Sequence, residues 1–325
     1  MDIHWKGLLS FLCLQICIGI RWDKIRCSFD RQPVKEGLLP EDQTGRFPWL
    51  GVIQYDFFYA GKMRYAITGA VRIHPWYALA AAEDIYKIDR STITNSTHFI
   101  VWHSAEVKYY MGVLDYILHY EFTTNVTLAT LAMMVLIPDK PNKLGHAGPA
   151  LPICLPAKGS RSLKHLFVTR ISDVTGELRK EVTKVHHVKD HECKEFYKKS
   201  ELDYKMMAPS HMVCVAAANA KPCVWDGGAL LVSRESGLYW TLLGFSSHGP
   251  GCGVPARFID VNSHMEWIDA QIAAASYYQC EDCLYQCCNA VYAPSAKCAV
   301  VMNGARSAVP WTTCLCSRVF CPRIR

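Results

Sequence analysis

Long apolar runs and strong net charge are both missing from this chain of 325 residues. The formal net charge is only +6 and no nucleic-acid-binding motif is present, so we expect no nucleic acid partner. The longest apolar run, residues 7–20, has 14 residues, which is too short to span a bilayer easily. Because it follows Lys6 at the start of the chain, we interpret residues 1–19 as a signal peptide. The sequence therefore predicts a secreted, extracellular protein with no membrane span.

Cysteine, by contrast, is abundant, with 16 residues in the chain. Cys13 and Cys17 would leave with the signal peptide, and the remaining 14 form an even set that suits an oxidising compartment. Two sequons predict glycosylation at Asn95 and Asn125. Charged residues make up 20% and hydrophobic residues 50% of the chain, which is typical of a globular protein.

The C-terminal part of the chain differs in composition from the rest. It carries eight cysteines, at Cys280, Cys283, Cys287, Cys288, Cys298, Cys314, Cys316 and Cys321. We interpret residues 276–325 as a separate Cys-rich tail. Disulfides are the favoured interpretation in a secreted chain, and zinc binding is the alternative. Eight cysteines allow about a hundred connectivities, so the sequence does not choose the pairs.

Short segments rich in β-branched and aromatic residues alternate with turns between residues 45 and 262. Examples are residues 45–59, 98–107, 166–172 and 239–247. This spacing predicts an all-β sandwich or barrel. Ser263 and Glu266 form a capping-box pattern ahead of an apolar face, which predicts one short helix over residues 262–272. We expect residues 20–44 to be irregular.

Seven motifs occur in an order that is found in a known family. They are GRFPWLGVI (45–53), YALAAAED (77–84), TLAMMVL (130–136), LPICLP (151–156), CVWDGGALL (223–231), LLGFSSHGPGCG (242–253) and MEWI (265–268). Residues 45–275 therefore resemble the trypsin-like (chymotrypsin-fold) serine proteases. The resemblance implies two six-stranded antiparallel β-barrels with a C-terminal helix. It also implies three disulfides, Cys27–Cys154, Cys193–Cys214 and Cys223–Cys252, the first of which would tether residues 20–44.

The same resemblance locates the positions where a serine protease carries its catalytic triad. The histidine position falls on Glu83, and a carboxylate is a poor base for a serine hydroxyl. The aspartate position falls on Thr130, which is neutral. The nucleophile loop is one residue short, so either Asp226 replaces the serine, or Asp226 keeps the place of the neighbouring aspartate and the serine is deleted. We therefore predict a pseudoprotease with no catalytic residue, no cofactor and no metal.

Other functional positions of the family have also changed. The specificity pocket maps onto Lys221, His248 and Ala256, so we expect no trypsin-like recognition of Arg or Lys. The activation cut would follow Lys35 and leave Glu36 as the new first residue, a charged side chain that is ill-suited to burial. One usual disulfide is absent, because its two positions hold Ile67 and Asp84.

The resemblance favours a non-catalytic homologue, a type common among arthropod secreted proteins. Such homologues act as regulators, cofactors or decoys, and the expected partner is an extracellular protease, a protease substrate or an inhibitor.

One alternative is a matrix-interacting protein that uses the tail and a basic patch in residues 184–200, with a sulfated glycan as a possible ligand. Another is altered chemistry at Glu83 and Asp226, whose carboxylates could hold a divalent cation near His248. His187 and His191 would lie on one face of a helix, a spacing that can also bind metal.

Overall fold

The structure is a computed structural model, and it describes most of the chain. The described residues are 27–102, 107–124, 130–137, 151–157, 163–174, 177–202, 211–218, 228–235, 238–246 and 254–273, with the backbone of 297–302 and 305–310. Arg26–Met265 form one compact unit, which we call the body, and the remaining residues belong to a second unit. No helix within the described ranges is both long and apolar enough to cross a membrane.

The first half of the body is a closed antiparallel barrel of six strands, as predicted. Its strands are β2 (Leu50–Tyr59), β3 (Lys62–His74), β4 (Tyr77–Ala81), β5 (Thr97–Trp102), β6 (Lys108–Leu118) and β7 (Leu131–Ile137). Hydrogen bonding runs round the ring in the order β2-β3-β4-β7-β6-β5. Two short helices connect β4 to β5, namely α1 (Ala82–Ile85) and α2 (Arg90–Ser96). The strands form here because β-branched, aromatic and small apolar residues dominate these segments.

Small and branched side chains fill this barrel. The buried cluster consists of Ile53, Ala70, Ala78, Ala80, Ala82, Ile85, Ile88, Ile93, Phe99, Val101, Met111, Val113, Tyr116, Ala132, Met134 and Leu136. Members of one strand lie two residues apart, as Ala78 and Ala80 do, because alternate side chains of a strand point to the same side. The outer side of the barrel carries Val52 and Trp102, which pack against the second half of the body.

The second half of the body is a seven-stranded antiparallel sheet, which has one strand more than the six-stranded barrel that the resemblance implies. Its strands are β1 (Gly37–Leu38), β8 (Leu166–Val174), β9 (Glu177–His187), β10 (Met212–Ala217), β11 (Leu230–Glu235), β12 (Tyr239–Ser246) and β13 (Ala256–Asp260). The order is β1-β9-β10-β13-β12-β11-β8, with a further pairing of β8 with β9. A helix, α3 (Asp190–Lys199), connects β9 to β10.

The additional strand comes from a segment that we expected to be irregular. Gly37 pairs with Val182 and Leu38 with Glu181, so residues that precede the barrel extend the edge of the second sheet. Leu39 is buried directly after this strand and its N–H donates to the Lys180 carbonyl at 2.8 Å. Burial of Leu39 and satisfaction of its backbone group explain why this short segment becomes ordered.

Two of the three disulfides implied by the resemblance are present. Cys27 is bonded to Cys154 and Cys193 to Cys214, with Cα–Cα separations of 4.9 and 6.3 Å. The first closes a loop of 127 residues and joins the N-terminal segment to the body. The predicted Cys223–Cys252 pair lies outside the described residues.

The described residues near the end of the chain form a helix and a hairpin. Residues 265–273 are helical, which confirms the helix predicted near 262–272, and a 3-10 turn at Val261–His264 precedes them. In the tail, β14 (Lys297–Met302) and β15 (Ala305–Pro310) pair as an antiparallel hairpin. The other seven tail cysteines lie outside the described residues, and nothing is described of the Cys298 side chain.

Three histidines meet where the end of β6 approaches the turn after β13. His119 and His264 are both buried, with Nε2 of the first 3.3 Å from Nδ1 of the second. The exposed ring of His211 is centred 6.0 Å from that of His264. Burial, with smaller contributions from the charges of His119 and His211, lowers the pKa of His264 to about 4. Burial also lowers the pKa of His119.

We expect the body to lose stability in weak acid through His264. Its pKa rises from about 4 in the folded chain to the ordinary 6.5 on unfolding, so between these values the unfolded chain binds more protons. The free energy of unfolding should therefore fall as the pH drops from 6.5 towards 4, by roughly 3 kcal/mol from this residue. Denaturant titrations at several pH values measure the slope.

The matched variant is His264→Gln, which removes the proton site. It should flatten the pH dependence between pH 6.5 and 4, and His211→Gln should flatten it much less. His74 is buried with a pKa of about 3 and contributes to the slope in all three proteins, so only differences are informative. An unchanged slope in His264→Gln would contradict the assignment.

Candidate functional site

Glu83 lies at the point where a buried strand gives way to a short helix. All five residues of β4 are buried, and the chain then turns into α1, in which Glu83 is half-buried. The N–H of Ala82 donates to the carbonyl of Thr130 at 2.9 Å. This hydrogen bond places the predicted histidine and aspartate positions side by side. The strand can end on a carboxylate because α1 turns the chain out of the barrel there.

Thr130 is buried and neutral where the resemblance implies an aspartate. Its side chain is 2% exposed, and the next residue, Leu131, begins β7. Its carbonyl already accepts from Ala82 and thereby connects β7 to α1. Thr130 therefore supports the backbone here and contributes no charge to the site.

Asp84, the second acid of the pair, is bound to the neighbouring strand. The Thr68 hydroxyl donates to Oδ2 of Asp84 at 2.6 Å, and Thr68 is buried. The usual disulfide positions hold Ile67 and Asp84, so this hydrogen bond connects the same two elements, β3 and α1. A hydrogen bond to a carboxylate is stronger than one between neutral groups, so this bond is a suitable non-covalent substitute for the missing disulfide.

The barrel and the second sheet are in main-chain contact at Gly69 and Gly228. A methyl group added at Gly69 would lie 2.7 Å from the Gly228 carbonyl oxygen and 2.8 Å from its Cα. Gly228 has φ +77°, a backbone conformation that favours glycine, and follows the predicted nucleophile position Asp226 by two residues. The contact fixes Gly228 beside β3 at Gly69, the residue that follows Thr68.

Several predicted site residues lie outside the described residues, namely Asp226, Lys221, His248, Cys223, Cys252 and Asn125. Ala256, the third specificity-pocket position, is fully buried at the start of β13 and belongs to the core of the second sheet. Asn95 is exposed near the end of α2, so its sequon is accessible, and its glycosylation stays a prediction. Across the described ranges no group of three or more His, Cys, Asp or Glu side chains is arranged to hold a metal ion.

The basic patch in residues 184–200 is only partly helical. The prediction that His187 and His191 share a helical face is wrong, because His187 ends β9, where it pairs with Val215, and α3 begins at Asp190. On α3 the acids alternate with the bases: Lys199 Nζ lies 2.7 Å from Glu195. These acids dilute the positive charge that a sulfated glycan would require.

The sequence did not reveal the buried Lys180. Its ammonium group donates to the carbonyls of Arg46 and Phe47 at 2.6 and 2.9 Å, and burial lowers its pKa to about 7. Phe47, with φ 54°, begins the turn that leads into β2. The sequence does contain a signal for this burial. Lys180 lies two residues before Val182 in a strand whose side chains alternate between the two faces, so it falls on the inward face, where lysine is rare.

Gly69→Ala tests the contact between the barrel and the second sheet. The new methyl group would clash with the Gly228 backbone, so we expect the free energy of unfolding to fall by about 2 kcal/mol, typical of an overpacked core. Gly112→Ala in β6 is the control, since its nearest neighbour would be the Ile137 side chain at 3.7 Å. Urea unfolding midpoints measure both. Equal midpoints for the two variants would show that the backbones can separate without cost.

Comparison with known proteins gives a distant similarity for this chain. No family model matches the sequence. Bovine (Bos taurus) coagulation factor XI is 23% identical over 282 residues, which cover 82% of this chain and 41% of that protein. The chain thus spans about two fifths of the length of the curated relative it matches. Together with the closed antiparallel barrel, this distant similarity to a trypsin-like serine protease supports a protease-like body of the trypsin-like family.

Proposed function

We propose that this protein is a secreted, catalytically inactive serine protease homologue that binds rather than cleaves. In this proposal it acts as a regulator, cofactor or decoy in an extracellular proteolytic cascade, as non-catalytic homologues of arthropods do. The observation that carries the proposal is the hydrogen bond from the Ala82 N–H to the Thr130 carbonyl, because it brings the carboxylate residue Glu83, next to Ala82, and the neutral Thr130 to adjoining positions of the barrel. A proton-transfer pair would need a histidine and a carboxylate there.

The chemistry of these two side chains argues against peptide hydrolysis. A general base must take the proton of the nucleophile and later return it to the leaving amine, and a carboxylate performs the second step poorly. Thr130 carries no charge that could stabilise a protonated base. Losing a single member of the triad already costs orders of magnitude in rate. Retention of the barrel without this chemistry favours a role in binding.

The N-terminal segment supports the same proposal. Glu36 is exposed, and its carboxylate accepts from the Lys184 N–H at 3.3 Å on the surface of β9. Gly37 and Leu38 are already paired in β1. A cut after Lys35 would free a terminus whose neighbours are held in a strand, so activation by insertion of that terminus would first have to break these bonds.

The disulfides support secretion. Cys27–Cys154 and Cys193–Cys214 are structural bonds that persist in oxidising compartments and are rare in the cytosol. We therefore propose an extracellular location, in which the expected partners, namely proteases, their substrates and their inhibitors, would be encountered.

A fluorophosphonate probe, which labels activated serines, tests the absence of catalysis directly. The purified full-length chain should show no labelling above that of the heat-denatured chain, while an active trypsin-like protease in the same assay is labelled fully. Hydrolysis of ester and peptide substrates with added divalent cations should be equal for wild type and Glu83→Gln. Covalent labelling, or metal-dependent turnover that Glu83→Gln abolishes, would refute the proposal.

Affinity capture from the native extracellular fluid addresses the binding role. The full-length chain should retain a protease, a substrate or an inhibitor, and deletion of residues 276–325 should leave this capture intact. Capture that disappears with the tail would instead favour the matrix-interacting alternative, in which the tail makes the contacts.

A further inference from the structure

The hairpin of β2 and β3 extends beyond the barrel as an isolated two-stranded ribbon. These strands pair along their whole length, up to Tyr59 opposite Lys62. Strand β5, however, pairs with β2 only as far as Tyr55, and β4 pairs with β3 only from Ala70. Beyond Tyr55 the four remaining residues of β2 extend about 13 Å from the barrel. We call residues 56–65 the hairpin tip.

Large apolar side chains lie exposed on both faces of the hairpin tip. Phe58 and Met63 are cross-strand partners on one face, 71% and 66% exposed, and Tyr65 follows on that face at 68%. Tyr59 is 67% exposed on the opposite face, next to the partly exposed Phe57. Such a contiguous apolar surface in water is uncommon for a secreted domain unless it binds something.

Positive charge accompanies these side chains. Lys62 and Arg64 are exposed on the face that carries Tyr59 and Phe57, and neither takes part in a salt bridge within the described part of the chain. Asp56 is the single acid of the hairpin tip. Aromatic rings flanked by bases are suited to the interface of a bilayer, where rings lie at headgroup depth and bases approach lipid phosphates.

We propose that the hairpin tip binds the surface of a membrane that contains anionic lipids, with Phe58 and Tyr59 at headgroup depth and Lys62 and Arg64 on the phosphates. This peripheral binding goes beyond the proposed function and does not depend on the loss of catalysis.

A lipid surface explains the two-sided exposure better than a protein surface does. A protein groove or a second copy of the chain would cover one face, either that of Phe58 and Met63 or that of Tyr59 and Phe57, and leave the other in water. The interfacial layer of a bilayer surrounds an inserted tip on all sides. Membrane binding therefore removes water from the whole apolar set at once.

The turn at the end of the ribbon supports insertion. Ala60 and Gly61 both have positive φ, 50° and 74°, which is the geometry of a tight two-residue hairpin loop. This loop holds Tyr59 and Lys62 as direct partners across the strands. Because the tip is already ordered, insertion costs little conformational entropy.

Cosedimentation of the full-length chain with vesicles tests the proposal. The chain should bind phosphatidylcholine vesicles that contain about one third phosphatidylserine, and bind pure phosphatidylcholine much more weakly. Phe58→Ser with Tyr59→Ser should weaken binding about tenfold or more, because the inserted rings are lost. Lys62→Gln with Arg64→Gln should weaken it by about fivefold per base.

Matched variants elsewhere on the body separate the hairpin tip from general effects. Phe29→Ser with Tyr120→Ser removes one exposed Phe and one exposed Tyr, and Lys194→Gln with Lys198→Gln removes two exposed charges from α3. Both controls should bind vesicles like wild type.

Two outcomes would overturn the proposal. One is vesicle binding that is absent or does not depend on the hairpin tip, seen as a wild-type chain that stays in the supernatant or as a hairpin-tip variant that binds as wild type does. The other is a wild-type dimer in analytical ultracentrifugation that Phe58→Ser with Tyr59→Ser converts to a monomer, which would assign the surface to a second copy of the chain. Circular dichroism and thermal unfolding establish that each variant is folded.

Discussion

The contact of Gly69 with Gly228 is the constraint on which the candidate site depends. No Cβ fits between the two backbones, so the barrel and the second sheet approach as closely as main chains can. Thr68, next to Gly69, holds Asp84 of α1, and Ala82 of α1 holds the carbonyl of Thr130. Glu83 is thus positioned between two hydrogen bonds, both of which trace back to strands of the barrel. Backbone contacts therefore fix the positions of Glu83 and Thr130 next to each other.

The second sheet is anchored to the N-terminal segment by polar groups in its interior. Lys180 holds the carbonyls of Arg46 and Phe47, and Arg46 in turn pairs with Asp30 at 2.6 Å. A buried ammonium group is costly unless its hydrogen-bond donors are satisfied, so this anchoring is sensitive to any change in the path of the chain near Phe47. These polar contacts and the Cys27–Cys154 bond together make residues 27–47 part of the body.

Local patterns in the sequence predicted the strands well, and failed where pairing between distant segments decides the outcome. The apolar run that became β4 could be predicted because burial on both sides makes such strands continuously apolar. The strand at Gly37–Leu38 could not, since only its partner β9 gives it a reason to be extended. Residues 56–65 include four aromatic residues and yet lie exposed, because β5 and β4 stop pairing before them. For the site, the resemblance identified Glu83 and Thr130, whereas the bonds of Asp84 to Thr68 and of Ala82 to Thr130 depend on the folded geometry.

The proposed loss of catalysis and the exposure of the hairpin tip follow a common physical logic. A protease cleft keeps unpaired or perturbed groups that cost stability, and those groups are retained only where turnover needs them. At this site Asp84 is hydrogen-bonded and Thr130 is buried and neutral, so little such cost remains. The hairpin tip also carries a cost, because it holds Phe58, Met63 and Tyr65 in water. If the chain binds rather than cleaves, as we propose, a surface that carries such a cost is one at which the binding function should be sought.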